Sequence, residues 1–221
     1  VSGRAAAGAE STDSVISTAT GSARIRTGRL VVRGWRVFVP VVIVNAVVQA
    51  ATTAPFATPA FAAVFVALAA ASFVALVVSF VLVVAQAQDG AEGLRFRAPS
   101  WRQWTAGLVA VLVIGASAVA SPPLVLLTVT LALIVLPAIR AQGAAGRGVF
   151  TGFRTFARRP GRAVALTVIT LVVLAVLWLG ALLSGFFITG VASAALTWLV
   201  FGCVGVLLVC AWTALLHGRR L

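Results

Sequence analysis

The sequence predicts an all-α integral membrane helical bundle: six transmembrane helices in three hairpins, each hairpin preceded by a basic interfacial elbow. Three observations predict it. First, Val37–Gln88, Gln103–Ile139 and Ala163–Gly218 contain no Asp, Glu, Lys or Arg. A helix rises about 1.5 Å per residue and crosses a bilayer in about 20 apolar residues, so each stretch can cross and return. Second, the 17 basic residues are all arginine, and every one lies outside those stretches. Third, 62% of residues are hydrophobic and mean hydropathy is +1.13, values that belong to a membrane domain.

Taken in order, residues 1–28 read as a disordered cytoplasmic tail, rich in Ala, Gly, Ser and Thr with few large apolar side chains. The apolar run starts only after Arg36, too late for a cleaved signal peptide. Residues 29–221 are the membrane domain, with helices expected near 37–54, 60–86, 104–120, 123–139, 164–187 and 193–216. Ser121-Pro122-Pro123 forms the turn between the third and fourth helices, because a Pro pair is best tolerated at a helix start. Pro137 falls in the last turn of the fourth helix and is expected to bend it.

The arginines form four groups: before the first span, between the second and third, between the fourth and fifth, and at the C-terminus. Six passes put all four groups on one face. The opposite loops, near Thr52–Pro59, Ser121–Pro123 and Thr189–Ser193, carry no charge. The positive-inside rule then makes the arginine face cytoplasmic, with both termini inside. The absence of Lys, Tyr and Met beside abundant Ala and Val points to GC-rich bacterial coding, hence a plasma (inner) membrane.

Before each odd-numbered span the chain repeats a basic and aromatic stretch: Arg29 to Arg36 with Trp35, Phe96 to Trp104 with Trp101, and Phe153 to Arg162. Such segments suit the headgroup layer. Arg36, Arg102, Arg154, Arg158, Arg159 and Arg162 are the candidate lipid-headgroup residues, since a guanidinium binds phosphate bidentately. Topology alone would also select arginine there. The +13 charge alternates with membrane-entry points rather than forming a soluble basic face, so nucleic acid is not an expected partner.

Asn45 and Gln49 share a face of the first span. They are candidates either for a polar pocket or for hydrogen bonding between helices, the more economical reading. Ala63, Ala67, Ala71, Ala75 and Ser79 recur every four residues, a ribbon expected to let another helix approach closely, within the chain or in a partner. The hydroxyls of Ser72, Ser79, Ser117, Ser121, Thr167 and Thr170 are expected to bond their own helices or neighbours. Asp89 and Glu92 are placed in a cytoplasmic loop, and His217 caps the last span. Cys203 and Cys210 are two helical turns apart, about 10.5 Å, too far for a disulfide. With one His and two Cys, no metal site can be assembled from the usual ligands, and no cofactor is expected.

Leu136-Pro-Ala-Ile-Arg140, a Gly-bearing loop, Gly152-Phe-Arg-Thr-Phe-Ala-Arg-Arg-Pro160, two long spans and Trp212-Thr-Ala-Leu-Leu-His-Gly-Arg-Arg220 follow one another over residues 124–221. This part resembles the bacterial multi-span membrane-anchor domain associated with glycerophosphodiester phosphodiesterases, and related stand-alone membrane proteins. Chains of that kind close on a Tyr-rich motif that is missing here. The resemblance implies a fold and a membrane role, and carries no catalytic residue over.

The functional expectation is an accessory or scaffold protein, not an enzyme, contacting anionic lipid and a membrane partner or a second copy of itself. The alternative is a partner-driven transporter or lipid-translocation subunit, although no ionisable side chain lies inside the spans. A lipid-modifying enzyme ranks last, with only Asp89, Glu92 and His217 available for acid–base work.

Overall fold

A computed structural model describes residues 7–54, 63–139, 153, 156–157, 159–187 and 190–217, with side chains from Thr27 onward apart from those of residues 122 and 184–187. Among these residues the chain is all-α. The helices are α1 (Ala7–Ala51), α2 (Ala63–Glu92), α3 (Trp101–Ala120), α4 (Pro122–Val135), α5 (Pro160–Phe187) and α6 (Val191–His217). A 3-10 turn, Leu136–Ala138, follows α4. Five helices are long and apolar enough to span a membrane; for α1 the spanning part is Thr27–Ala51. The remaining apolar helix, Pro123–Ala138, is shorter.

Most helix ends fall within a few residues of where the charge edges put them. The start of α1 does not. Its backbone is helical from Ala7, inside the segment expected to be a tail, and Arg29 to Arg36 lie in continuous helix. The first basic stretch is therefore no separate elbow. Pro40 sits inside α1 without ending it. The second stretch does match an elbow, because residues 94–100 have no regular structure and α3 begins at Trp101. Most of the third lies outside the described residues.

Local chemistry explains the ends. Gly93, at φ +74°, terminates α2. Leu94 N–H donates to Asp89 O at 2.9 Å and Gly93 N–H to Gly90 O at 3.3 Å, the paired bonds of a Schellman cap. Asp89 and Glu92 thus belong to the last turn of α2 rather than to a loop. Ser100 caps α3, and its N–H donates to Gln103 Oε1 at 2.8 Å. Pro122 and Pro123 open α4 behind Ser121. Pro137, which lacks an amide hydrogen, accompanies the change from α-helix to 3-10 turn.

At the centre, α1 and α6 run side by side, with α2 against both. Gly202 of α6 makes the approach possible: a Cβ there would lie 2.6 Å from Val42 Cγ1. The core joins Leu30, Phe38 and Val42 of α1, Val83, Val84 and Ala87 of α2, and Val206, Val209 and Trp212 of α6 to the 132–136 region. α5 is peripheral. Its buried residues are Ala163 and Thr170, both in its first half.

Candidate functional site at the arginine-bearing end

Five helix ends and the Leu30 turn of α1 meet at one pole of the bundle. Leu30 of α1 lies 3.5 Å from where a Cβ on Gly90 of α2 would be. Gln88 of α2 bonds Gln103 at the start of α3 and the carbonyls after α4. His217, ending α6, lies 3.9 Å from Glu92, ending α2. Phe156, just before α5, stacks at 6.4 Å on Trp212 of α6. Among the described arginines, Arg29, Arg33 and Arg36 lie along α1 where it passes this pole, and Arg95, Arg97, Arg102, Arg159 and Arg162 sit on the other helix ends and connections. The pole is therefore strongly cationic.

Beneath the arginines lies an amide clasp. Gln103 Oε1 accepts from Ser100 N–H, while its Nε2 donates to Gln88 Oε1 at 2.8 Å. Gln88 Nε2 is then shared among the carbonyls of Leu136 at 3.3 Å, Pro137 at 3.0 Å and Ile139 at 3.1 Å. A helix end always leaves carbonyls without partners, and in lipid no water can satisfy them. Gln88 and Gln103, both buried, supply what α4 lacks. The two amides were not singled out in the sequence, yet they stand at the inner edges of consecutive charge-free stretches. An amide at each edge was the available signal. Beside the clasp is a narrow crevice walled by Phe80, Val84, Leu136, Ile139 and Gln103.

The acids are engaged at this pole as well. Asp89 Oδ2 accepts from the backbone N–H of Arg97 at 2.8 Å, not from a guanidinium. His217 Nδ1 lies 3.0 Å from Thr213 O, which fixes the ring that faces Glu92. Among the described residues, no three of His, Cys, Asp and Glu gather where they could hold a metal ion.

Of the sequence-selected arginines, Arg36 is exposed and its guanidinium lies 5.9 Å from the centre of the Trp35 ring. Arg102 repeats that arrangement over Trp101 at 5.6 Å. Both pairs join a cation to an amphipathic ring, the combination suited to a headgroup layer. Arg162 is exposed and Arg159 half-buried. Arg154 and Arg158 lie outside the described residues.

Asn45 and Gln49 sit far from this pole and are consumed by packing. Gln49 Nε2 donates to Ser72 O at 3.0 Å and, more weakly, to Asn45 Oδ1 at 3.4 Å. Its Oε1 accepts from the Ser72 hydroxyl at 2.6 Å. The amide ties α1 to α2, as hydrogen bonding between helices requires.

Within the chain the small-residue ribbon makes no continuous contact face. Ala63, Ala67 and Ala71 are exposed, while Ala75 and Ser79 are half-buried. A repeat of four advances about 40° per step on a 3.6-residue helix, so five such positions turn through about 160°. They cannot share one face. The face that meets α1 instead carries Ser72.

Of the hydroxyls, Ser72, Ser117, Thr167 and Thr170 bond as expected, Ser72 to Gln49. Thr167 and Thr170 donate to Ala163 O at 2.9 Å and Leu166 O at 2.7 Å. Ser117 donates to Ile114 O at 2.7 Å and meets Thr128 Oγ1 across the hairpin at 2.9 Å. Trp212, buried on α6, donates its indole N–H to Thr170 Oγ1 at 3.2 Å. That bond was missed, since neither residue announces its partner in sequence. Gln86 is also buried, and its Oε1 has no partner among the described residues.

No family model, no curated protein and no solved structure matches this chain.

Proposed function

We propose that the chain is a non-catalytic accessory or scaffold protein of a bacterial inner membrane, crossing it six times with both termini in the cytoplasm. α4 and its 3-10 turn supply the fourth, shortest pass. The observation that carries this reading is the gathering of arginines at one pole. α4 starts at the Ser121 turn, where Ser117 meets Thr128, and ends on Gln88 at the arginine pole, so it runs the whole depth of the bundle. Six passes then keep every arginine group on one side, and the positive-inside rule makes that side cytoplasmic.

The arginines contact anionic headgroups of the inner leaflet, where each basic residue near the surface adds about 1 kcal/mol of attraction. The helices hold a membrane partner or a second copy. In support, polar groups inside the bundle bond mainly one another: Gln49 with Ser72, Ser117 with Thr128, and Trp212 with Thr170. α5 adds a long apolar flank that the bundle leaves uncovered among the described residues. The likeness of residues 124–221 to phosphodiesterase-associated membrane anchors fits the same role. Reporters fused after Pro122 and at the C-terminus test the topology, and are expected on opposite sides. Purification in mild detergent tests the role, with a fixed companion subunit or a homo-oligomer expected. A lone subunit with a catalytic turnover of its own would contradict it.

A further inference from the structure

We propose that the outward face of α1 carries a binding stripe for the phosphate of an anionic lipid, formed by Arg29, Arg33 and Arg36. This rests on the membrane reading above and assigns the headgroup contact to residues outside the six arginines considered there, apart from Arg36. The three residues are spaced i, i+4 and i+7, within an arc of about 60°, and rise about 10.5 Å along the axis. All three are exposed. The opposite side of the same turns is buried through Leu30, Gly34 and Phe38, so the arginine face points away from the bundle.

Three observations identify the occupant. The first is continuity. Past Arg36 the same outward face becomes apolar, with Pro40, Ile43, Val44 and Val47 exposed. One face therefore changes from guanidinium to hydrocarbon within a turn, as the lipid beside it changes from phosphate to acyl chain. The arginine rise of about 10 Å is comparable to the headgroup layer, about 5–7 Å deep, plus its hydrated edge. The second is uncompensated charge. Asp89 and Glu92, the acids whose side chains are described, are engaged elsewhere, with Arg97 N–H and His217. Glu10 and Asp13 lie at least 16 positions before Arg29, about 24 Å along a helix. The third is the flank. Val32 and Trp35 stand exposed beside the stripe, and the Trp35 ring lies against the Arg36 guanidinium. An apolar body with a cation at its tip suits the boundary between acyl chain and phosphate.

The test uses the full chain in phosphatidylcholine vesicles with a trace of spin-labelled phosphatidylglycerol or spin-labelled phosphatidylcholine. The readout is the motionally restricted fraction of each label. Wild type should hold the anionic label in preference. Replacing Arg29, Arg33 and Arg36 together by Gln should lower that preference by clearly more than the roughly five-fold per arginine that diffuse surface charge alone supplies. An equal loss of charge at Arg95, Arg97 and Arg162 should cost no more than that diffuse share. If both triple variants lose the preference equally, the stripe is overturned and a diffuse cationic face remains. If wild type itself shows no preference for the anionic label, the headgroup reading falls and the stripe with it. Circular dichroism and a single elution peak confirm folding. Should the triple variant misfold, the Arg29→Gln/Arg33→Gln pair carries the same test, and an unchanged preference there would overturn the assignment.

Discussion

α5 and α6 differ far less in sequence than in structure. Each is a long, apolar helix free of Asp and Glu, and each is long enough to span a membrane. Yet in their most apolar 18-residue windows, 33% of α6 is buried against 6% of α5. The contrast shows that apolarity places a helix in lipid but does not place it in a bundle. In a bilayer the surrounding acyl chains are as apolar as Leu, so packing must come from close approach and from polar bonds. α6 has both. Gly202 admits Val42 of α1, and Trp212 bonds Thr170. α5 meets the bundle through Ala163 and Thr170, then departs with Val172, Val176, Leu179 and Leu183 exposed.

The largest effect should come from Trp212→Ala, which empties a fully enclosed site and should cost about 3–5 kcal/mol. Trp178→Ala, on the exposed flank of α5, should cost little. Thermal unfolding in detergent compares the two, and equal losses would break the distinction between a central and a peripheral helix. Next comes a matched pair of glycines. Gly202→Leu forces α1 from α6 and should cost about 1–3 kcal/mol. At Gly180 an added Cβ meets no atom of the described residues within 4 Å, so Gly180→Leu should leave the melting temperature unchanged. A similar effect of overfilling at both positions would mean that α5 is as closely packed as α6.

A smaller change tests the amide clasp, which joins α2 to the end of α4 by polar bonds as Gly202 joins α1 to α6 by contact. Gln88→Leu leaves the carbonyls of Leu136, Pro137 and Ile139 without their shared donor and should cost about 1–3 kcal/mol. Gln86→Leu, on the same helix, removes an oxygen with no partner among the described residues and should be neutral or stabilising. If the two variants melt alike, the clasp contributes nothing. The smallest effect is Thr170→Val, which keeps the shape but removes the acceptor for the Trp212 indole. About 0.6 kcal/mol is typical for a single bond between helices in a membrane. A double-mutant cycle with Trp212→Phe should show that coupling, and strict additivity would deny the bond.

Helix positions were legible because charge marks where a span ends. The edges at Gln88, Gln103, Ile139 and Ala163 fall within a few residues of observed ends. Pro137 was legible too, since a residue without an amide hydrogen disturbs a helix wherever it stands. What charge does not mark stayed hidden. The glycines of Gln88–Gly93 suggest a turn that would hold Asp89 and Glu92, whereas the helix runs through Gly90 and α2 ends where Gly93 adopts positive φ. The ribbon from Ala63 to Ser79 winds around α2, because a repeat of four is not the helical period, and its first three residues face away from the bundle. The clasp and the Trp212–Thr170 bond join residues far apart in sequence, and no local pattern connects them. Asn45 and Gln49 were read better, since two amides on one face in lipid require a partner, and Ser72 is that partner.

The account depends most on the arginine-bearing pole facing the cell interior while the Ser121 turn faces outward. Cysteine labelling tests this in a background with Cys203→Ala and Cys210→Ala. Ser121→Cys and Arg97→Cys are introduced separately, and sealed cells are treated with a membrane-impermeant maleimide. The prediction is labelling of Ser121→Cys in intact cells and of Arg97→Cys only after the membrane is opened. Labelling of both from outside, or of Arg97→Cys alone, would contradict it.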